Sequence, residues 1–283
     1  MQIVPLESRQ LTQAENQIRE GVIKAYRLIE GVPGPANFAL KLVNIAGKFH
    51  SPRHRHNFDQ IRFQIEGEFD YAADGHFEAG SVGYFPEGTR YGPQTSDGDT
   101  WNLLLQFGGA SGSGYTSESE EDRAAAALKQ HGSFDKGVYT YLKPDGTKVN
   151  QDAYEALWEH IHGRPLVYPK PRYDKPVFMK SQNFDWLPVS NQPGVASKVL
   201  GVFSERETTI RMLRVDAAAT LSLQADSFYF LMQGAGKVAG QACSRHTTIR
   251  TEAGEQGTFT AEAETTLMQL HVPVLSMEPA RSA

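Results

Sequence analysis

The sequence has a single cysteine, Cys243, among its 283 residues. A disulfide within the chain needs two cysteines and a four-cysteine zinc site needs four, so both are excluded. Cysteine usage of this kind is typical of a reducing compartment, and we expect a cytoplasmic protein. Disulfides therefore cannot stabilise the fold, which has to rely on a packed core.

Long apolar runs and an excess of basic residues are also missing. No stretch approaches the ~18 apolar residues of a membrane-spanning helix, and the N-terminal MQIVPLESRQ does not begin like a signal peptide. Lys and Arg number 28 against 33 Asp and Glu, a net charge of −5. Without a basic cluster, a nucleic-acid surface is not expected. These absences favour a small-molecule partner over nucleic acid or membrane.

Short strand-like segments separated by glycine-rich turns dominate the first part of the chain. Four of them are FALKLVNI (38–45), IRFQIEG (61–67), SVGYFP (81–86) and TWNLLLQF (100–107). In IRFQI, apolar residues at 61, 63 and 65 alternate with Arg62 and Gln64. Such period-two alternation predicts strands in a sheet whose two faces meet different environments. We therefore predict an all-β unit over residues 1–115, with Arg62 on its inner face.

The middle of the chain reads as a connector, residues 116–180. The glycine- and serine-rich stretch 107–123 predicts a flexible loop, and RAAAALKQH (123–131) predicts a short helix. QDAYEALWEHIHG (151–163) predicts a longer helix, with Asn150 as its N-cap and Gly163 as its stop. The proline-rich RPLVYPKPRYDKPVF that follows predicts an extended strap.

The strand pattern resumes over residues 181–283 and resembles the first unit. SFYFLMQGAGKV (227–238) follows the pattern of QIRFQIEGEFDY (60–71), with Gly67 and Gly234 at matching places. AGEQGTFT (253–260) likewise follows AGSVGYFP (79–86). The two matches predict an internal duplication of one β unit.

A histidine pair precedes the second strand segment, in HSPRHRHNFDQ (50–60). Residues i and i+2 of a strand share a face, so His54, His56 and also Gln60 are expected to face one cavity. Imidazole is a good ligand for zinc, copper, iron or nickel. The other His-x-His, His160 and His162, lies on a predicted helix, where such residues point apart.

The spacing of these residues resembles the cupin family. The first cupin motif runs His-x-His, three residues, an acidic residue, six residues and glycine, and the second contains Pro-x-Gly, two residues and histidine. The matching positions are His54, His56, Gln60 and Gly67, then Gly80, Pro86, Gly88 and Tyr91. Two positions depart from the family pattern, because Gln60 stands for glutamate and Tyr91 for histidine.

The resemblance implies two jelly-roll barrels, also called double-stranded β-helices, joined by a short helical connector. It further implies one divalent metal ion (Fe, Mn, Ni or Zn) held by His54, His56, Gln60 and Tyr91. Tyr91 and Arg62 are the expected catalytic residues, Tyr91 as ligand or general acid and Arg62 as the group that holds a substrate carboxylate.

The second unit is expected to be a degenerate barrel without a site. Leu221 and Leu223 stand at the positions of the two histidines, and Ser227 stands at that of Gln60. The expected protein is a homodimeric metal-dependent enzyme acting on a small oxygen-rich molecule, as a dioxygenase or as an isomerase or lyase of a sugar-like acid. The alternative is a metal-free bicupin that binds a small ligand without catalysis.

Overall fold

The chain forms two compact units, of which one is residues 11–178 and the other is residues 1–10 with residues 179–283. The computed structural model describes residues 1–13, 20–34, 36–203 and 207–276. The first ten residues thus belong to the second unit, in which strand β1 (Gln2–Val4) takes part.

The first unit is mostly antiparallel β-structure. Its strands are β2 (Leu11–Gln13), β3 (Glu20–Glu30), β4 (Phe38–Ser51), β5 (Asp59–Glu66), β6 (Glu68–Asp70), β7 (His76–Glu78), β8 (Ser81–Phe85), β9 (Gln94–Ser96) and β10 (Thr100–Phe107). Strands β3, β4, β10, β5 and β8 are neighbours in that order. The four strands predicted from residues 38–107 are all present, and β4 continues six residues beyond its predicted end.

The connector contains two helices and a small sheet that the sequence did not predict. Its elements are α1 (Glu118–Leu128), β11 (Gly132–Asp135), β12 (Val138–Leu142), β13 (Lys148–Asp152) and α2 (Ala153–His162), followed by β14 (Val177–Lys180). None of the helices in the described ranges combines the length and the apolar character needed to cross a bilayer.

Both helices begin at positions other than those predicted. Helix α1 starts at Glu118 because Ser117 and Glu120 form a capping box, so the expected loop over 107–123 ends early. Helix α2 is capped by Asp152, whose carboxylate accepts hydrogen bonds from the backbone of Tyr154 and Glu155. Asn150, the predicted cap, lies in strand β13 instead.

The second unit repeats the strand order of the first. Its remaining strands are β15 (Leu187–Pro188), β16 (Val195–Phe203), β17 (Thr208–Val215), β18 (Thr220–Leu223), β19 (Ser227–Gln233), β20 (Gly236–Val238), β21 (Gln241–Cys243), β22 (Thr248–Thr251), β23 (Gly257–Ala261) and β24 (Thr265–His271). Strands β16, β17, β24, β19 and β22 are neighbours in that order. They correspond to β3, β4, β10, β5 and β8.

The duplication holds at the level of register. In the first unit Arg62 pairs with Leu104 and Gln64 with Asn102. The equivalent pairs of the second unit are Tyr229 with Gln269 and Leu231 with Leu267.

The glycines of the repeat are explained by the same geometry. Gly67 and Gly234 both have positive φ, 71° and 89°. A Cβ on either would collide with a backbone carbonyl, of Asp99 in the first unit and of Glu264 in the second. The tight turn after β5 and after β19 therefore requires glycine.

The interiors of the two barrels differ. In the second unit Leu221 and Leu223 are buried in an apolar core that also contains Leu231, Phe259 and Leu267. The equivalent region of the first unit carries polar side chains around a cavity. The positions of the histidine pair are thus filled with packed leucine in the second barrel, as the sequence predicted.

Candidate functional site

A cavity of about 280 Å³ lies inside the first barrel. One part of its wall is apolar, including Val43, Ile45, Phe49, Phe58 and Leu104. Another part is polar and is formed by His54, His56, Gln60, Arg62, Gln94, Asn102 and Gln106. The volume is close to the lower end of ligand pockets, which span roughly 300–1,000 Å³, and suits a small metabolite.

The two histidines reach the cavity from a loop and not from a strand. Strand β4 ends at Ser51 and β5 begins at Asp59, and between them His54 makes only an isolated bridge with Tyr91. The imidazole rings of His54 and His56 are nevertheless close, with centroids 5.0 Å apart. The predicted strand is therefore incorrect over residues 54–58, although Gln60 lies in β5 and both rings line one cavity.

The tautomer of His54 follows from its surroundings. Its Nδ1 lies 2.6 Å from the carbonyl oxygen of Pro52. A carbonyl can only accept, so Nδ1 carries the proton and the Nε2 of the neutral ring keeps its lone pair. This nitrogen is the one through which His54 could bind a metal or accept a hydrogen bond.

Gln60 and Tyr91 are both bound to Arg62. Arg62 Nη2 donates to Gln60 Oε1 at 2.9 Å and to the Tyr91 hydroxyl at 3.2 Å. Gln60 Nε2 also donates to Tyr91, at 3.0 Å. Gln60 lines the cavity, whereas Tyr91 is 1% exposed and lies behind the wall, 4.5 Å from the His54 ring.

Arg62 is held from its other side as well. Its Nη1 donates to the Tyr71 hydroxyl at 2.8 Å and to Gln94 Oε1 at 3.0 Å. Its guanidinium carbon also lies 4.5 Å from the centre of the Phe85 ring. Burial alone would lower the pKa of Arg62, but the neighbouring phenols Tyr71 and Tyr91 raise it. Arg62 is therefore a fixed cation, and no carboxylate in the described ranges forms a salt bridge with it.

Two amides complete the polar wall. Gln94 turns its oxygen toward Arg62, because a guanidinium offers only donors, and its Nε2 is left as a donor. Asn102 is 5% exposed and lines the cavity, and its side chain has no hydrogen-bond partner among the described residues. Asn102 lies on β10, two residues before Leu104, which pairs with Arg62. Asn102 is therefore the diagonal neighbour of Arg62 on the same face of the sheet.

Helix α1 contributes a charged region to the cavity. Glu118 pairs with Lys41, and it also pairs with Arg27 at 2.8 Å. Lys41 lowers the pKa of Glu118, so both partners are charged. Glu121 and Asp122 of the same helix also line the cavity. Glu118 thus neutralises Lys41 and Arg27 locally, whereas Arg62 has no such salt bridge among the described residues.

A second buried charge cluster lies on the opposite face of β5. Arg172, from the proline-rich strap, contacts Asp59 at 3.2 Å and Glu87 at 2.9 Å. Asp59 also accepts hydrogen bonds from the Tyr84 hydroxyl and from the backbone of Glu87. Burial raises the pKa of Asp59 to about 6, against the opposing effect of Arg172. This cluster holds the strap on the barrel and faces away from the cavity.

The predicted metal ligands fit a divalent ion poorly. Gln60 Oε1 already accepts from Arg62, and Tyr91 is outside the wall. An ion on Gln60 would displace that hydrogen bond and lie beside a guanidinium that has no salt bridge to a described residue, with no carboxylate among the predicted ligands to offset either charge. No group of three or more His, Cys, Asp or Glu suited to a metal occurs in the described ranges. His54 and His56 alone keep the right chemistry.

Comparison with solved structures establishes the fold. A Nostoc punctiforme protein provisionally named a dioxygenase matches with a TM-score of 0.62 and 10% identity, over 100% of this chain and 84% of that one. Oxalate decarboxylase from Bacillus subtilis matches with a TM-score of 0.54 and 10% identity, over 96% of this chain and 76% of that one. Salicylate 1,2-dioxygenase from Pseudaminobacter salicylatoxidans matches with a TM-score of 0.52 and 15% identity, over 86% and 72%.

The chain therefore has the two-barrel cupin fold, as its motifs indicated. At these identities the likeness extends to the fold alone. No family profile and no curated protein sequence matches the chain.

Proposed function

We propose that the first barrel binds a small oxygen-rich organic molecule in its cavity. The observation that supports this proposal is the polar wall, in which the Asn102 amide and the Gln94 Nε2 face a space of about 280 Å³ beside the Arg62 cation. These polar groups line the cavity, so a ligand oxygen could accept hydrogen bonds from them directly. In the second barrel the equivalent of Asn102 is Leu267, inside a packed core.

A binding screen with one variant tests this function. Small hydroxy acids, keto acids, aromatic acids and sugar acids are screened by thermal shift, and affinities of the hits are measured by calorimetry. We expect Asn102→Leu to weaken binding about tenfold or more, because a ligand oxygen loses its donor and the larger leucine takes up part of the cavity.

The matched control is Asn150→Leu, the same substitution at an exposed position of β13 outside the cavity. It should bind like the wild-type protein. Unchanged affinity in Asn102→Leu would mean that the ligands bind elsewhere.

A metal-dependent enzyme acting on a similar molecule is the second candidate. It is supported by the fixed tautomer of His54, which leaves Nε2 as a possible ligand, and by the 5.0 Å between the His54 and His56 rings. Bound iron, manganese, nickel or zinc would polarise substrate oxygens. This candidate is the weaker one, because Gln60 and Tyr91 are poorly placed to bind a metal ion beside Arg62.

Elemental analysis separates the two candidates. Protein purified from cells supplied with iron, manganese, nickel and zinc is expected to hold well below one equivalent of divalent metal, because Arg62 opposes a second cation. A near-equimolar content that is lost in His54→Ala and in His56→Ala would favour the enzyme instead. His76→Ala, which removes an exposed histidine, serves as the control.

A further inference from the structure

We propose that Arg62 supplies the positive charge of this site in place of a metal ion, and that the pocket therefore selects small organic carboxylates over their neutral analogues. The inference rests on the proposed ligand-binding function and specifies the ligand's chemical class.

No carboxylate in the described ranges forms a salt bridge with Arg62, although Glu121 and Asp122 line the same cavity. The four hydrogen-bond partners of its guanidinium among the described residues are neutral, namely the Tyr71 and Tyr91 hydroxyls and the Gln60 and Gln94 amide oxygens. Lys41 and Arg27, the other cations of the cavity wall, share Glu118. An isolated charge in a low-dielectric interior attracts an anion more strongly than it would in water.

The ligand's carboxylate would be bound by amides next to Arg62. Both Nη atoms of Arg62 already donate two hydrogen bonds each, so the guanidinium acts mainly through its charge. The Nε of Arg62 is buried and has no hydrogen-bond partner within the described ranges. The Nε2 of Gln94 and the side-chain amide of Asn102 are further donors in this part of the wall. An anion held by both would lie beside the cation without displacing any of its partners.

The identity of residue 60 is consistent with this role. A glutamate at position 60 would place a carboxylate at hydrogen-bonding distance from Arg62, where Gln60 Oε1 now lies at 2.9 Å. The resulting ion pair would cancel the charge available to a ligand. Glutamine keeps the hydrogen bonds to Arg62 and Tyr91 and leaves the site positive.

The first experiment compares an anion with its neutral isostere. Calorimetry with benzoate and benzamide on wild-type protein should show a preference of about tenfold or more for the acid. Arg62→Met should abolish that preference, and Arg62→Lys should restore most of it because the charge returns. Arg90→Met, which removes an exposed arginine of the same barrel, should leave it unchanged.

Equal affinity for both probes, or a preference that survives in Arg62→Met, would overturn the inference while leaving the pocket intact. Failure of both probes to bind the wild-type protein would count against the pocket itself, that is, against the proposed function.

The second experiment does not depend on an organic ligand. The single variant Gln60→Glu should bind Mn²⁺ weakly, because Arg62 neutralises the new carboxylate. The double variant Gln60→Glu with Arg62→Met should bind Mn²⁺ beside His54 and His56 about tenfold or more tightly than the single variant does. Thermal unfolding verifies that both variants fold. Equal Mn²⁺ affinity in the two variants would show that the charge of Arg62 does not replace that of a metal ion, whatever the result with benzoate and benzamide.

Discussion

Leu267→Asn is expected to lower the free energy of unfolding of the second unit by about 3–5 kcal/mol. Leu267 is fully buried and packs in the apolar core that fills the second barrel. Asparagine would remove that packing and bury an amide with no partner of its own. Calorimetric unfolding measures the change, and Leu267→Met, which keeps the volume, should cost less than about 1.5 kcal/mol.

The reciprocal substitution provides the internal control. Asn102 stands at the same register position of the first barrel, next to a cavity instead of packed neighbours. Asn102→Leu is therefore expected to leave the stability of the first unit within about 1 kcal/mol, because leucine enters open space. Losses of similar size at both positions would contradict the view that only one barrel is built to hold a ligand.

Arg172→Met is expected to destabilise the first unit by about 3–5 kcal/mol at pH 8. The substitution leaves Asp59 and Glu87, 4% and 1% exposed, without their shared cation. An uncompensated buried carboxylate is costly, so the strap that carries Arg172 should also detach and become sensitive to proteolysis.

The effect of Arg172→Met should shrink at low pH. The pKa of Asp59 is raised to about 6 from its ordinary value near 3.8, so the folded protein takes up a proton on Asp59 as the pH falls through 6. A protonated Asp59 needs no cation, and the loss measured by chemical denaturation at pH 5 should be smaller than at pH 8. Adding Asp59→Asn should recover part of the stability at pH 8.

The control for the strap is Lys170→Met, an exposed residue two positions before Arg172. It is expected to change stability by less than about 0.5 kcal/mol. A loss in Arg172→Met that is the same at both pH values would show that packing of the long side chain, and not its charge, holds the strap.

The barrels could be predicted because strand alternation and motif spacing are local properties of the sequence. Both the four strands of residues 38–107 and the replacement of the histidine pair by Leu221 and Leu223 follow from such patterns. The spacing of His54 and His56 also indicated that their rings would meet, although a loop carries them. Homodimerisation and a cytoplasmic setting stay predictions.

The partners of Arg62 could not be predicted, because they come from separate strands. Tyr71 and Gln94 reach the guanidinium only once the sheets have closed into a barrel. Tyr91 likewise reaches its place through an isolated bridge with His54, which is 37 positions away in the sequence. A signal was overlooked at Lys41, which interrupts the apolar pattern of FALKLVNI on the cavity face and pairs with helix α1. Arg172 gave no signal, since nothing in a proline-rich segment indicates a buried ion pair.

Because the two barrels share one register, a cavity in this fold is easier to lose by substitution than to gain. A single substitution such as Asn102→Leu would narrow the cavity and remove a donor from it at little cost to folding. Opening the other barrel would require new polar groups at 231 and 267 together, because each alone would be buried in the apolar core without a partner. A barrel packed in this way regains a cavity only through several substitutions at once, so new binding specificities are expected to arise in the barrel that has the cavity.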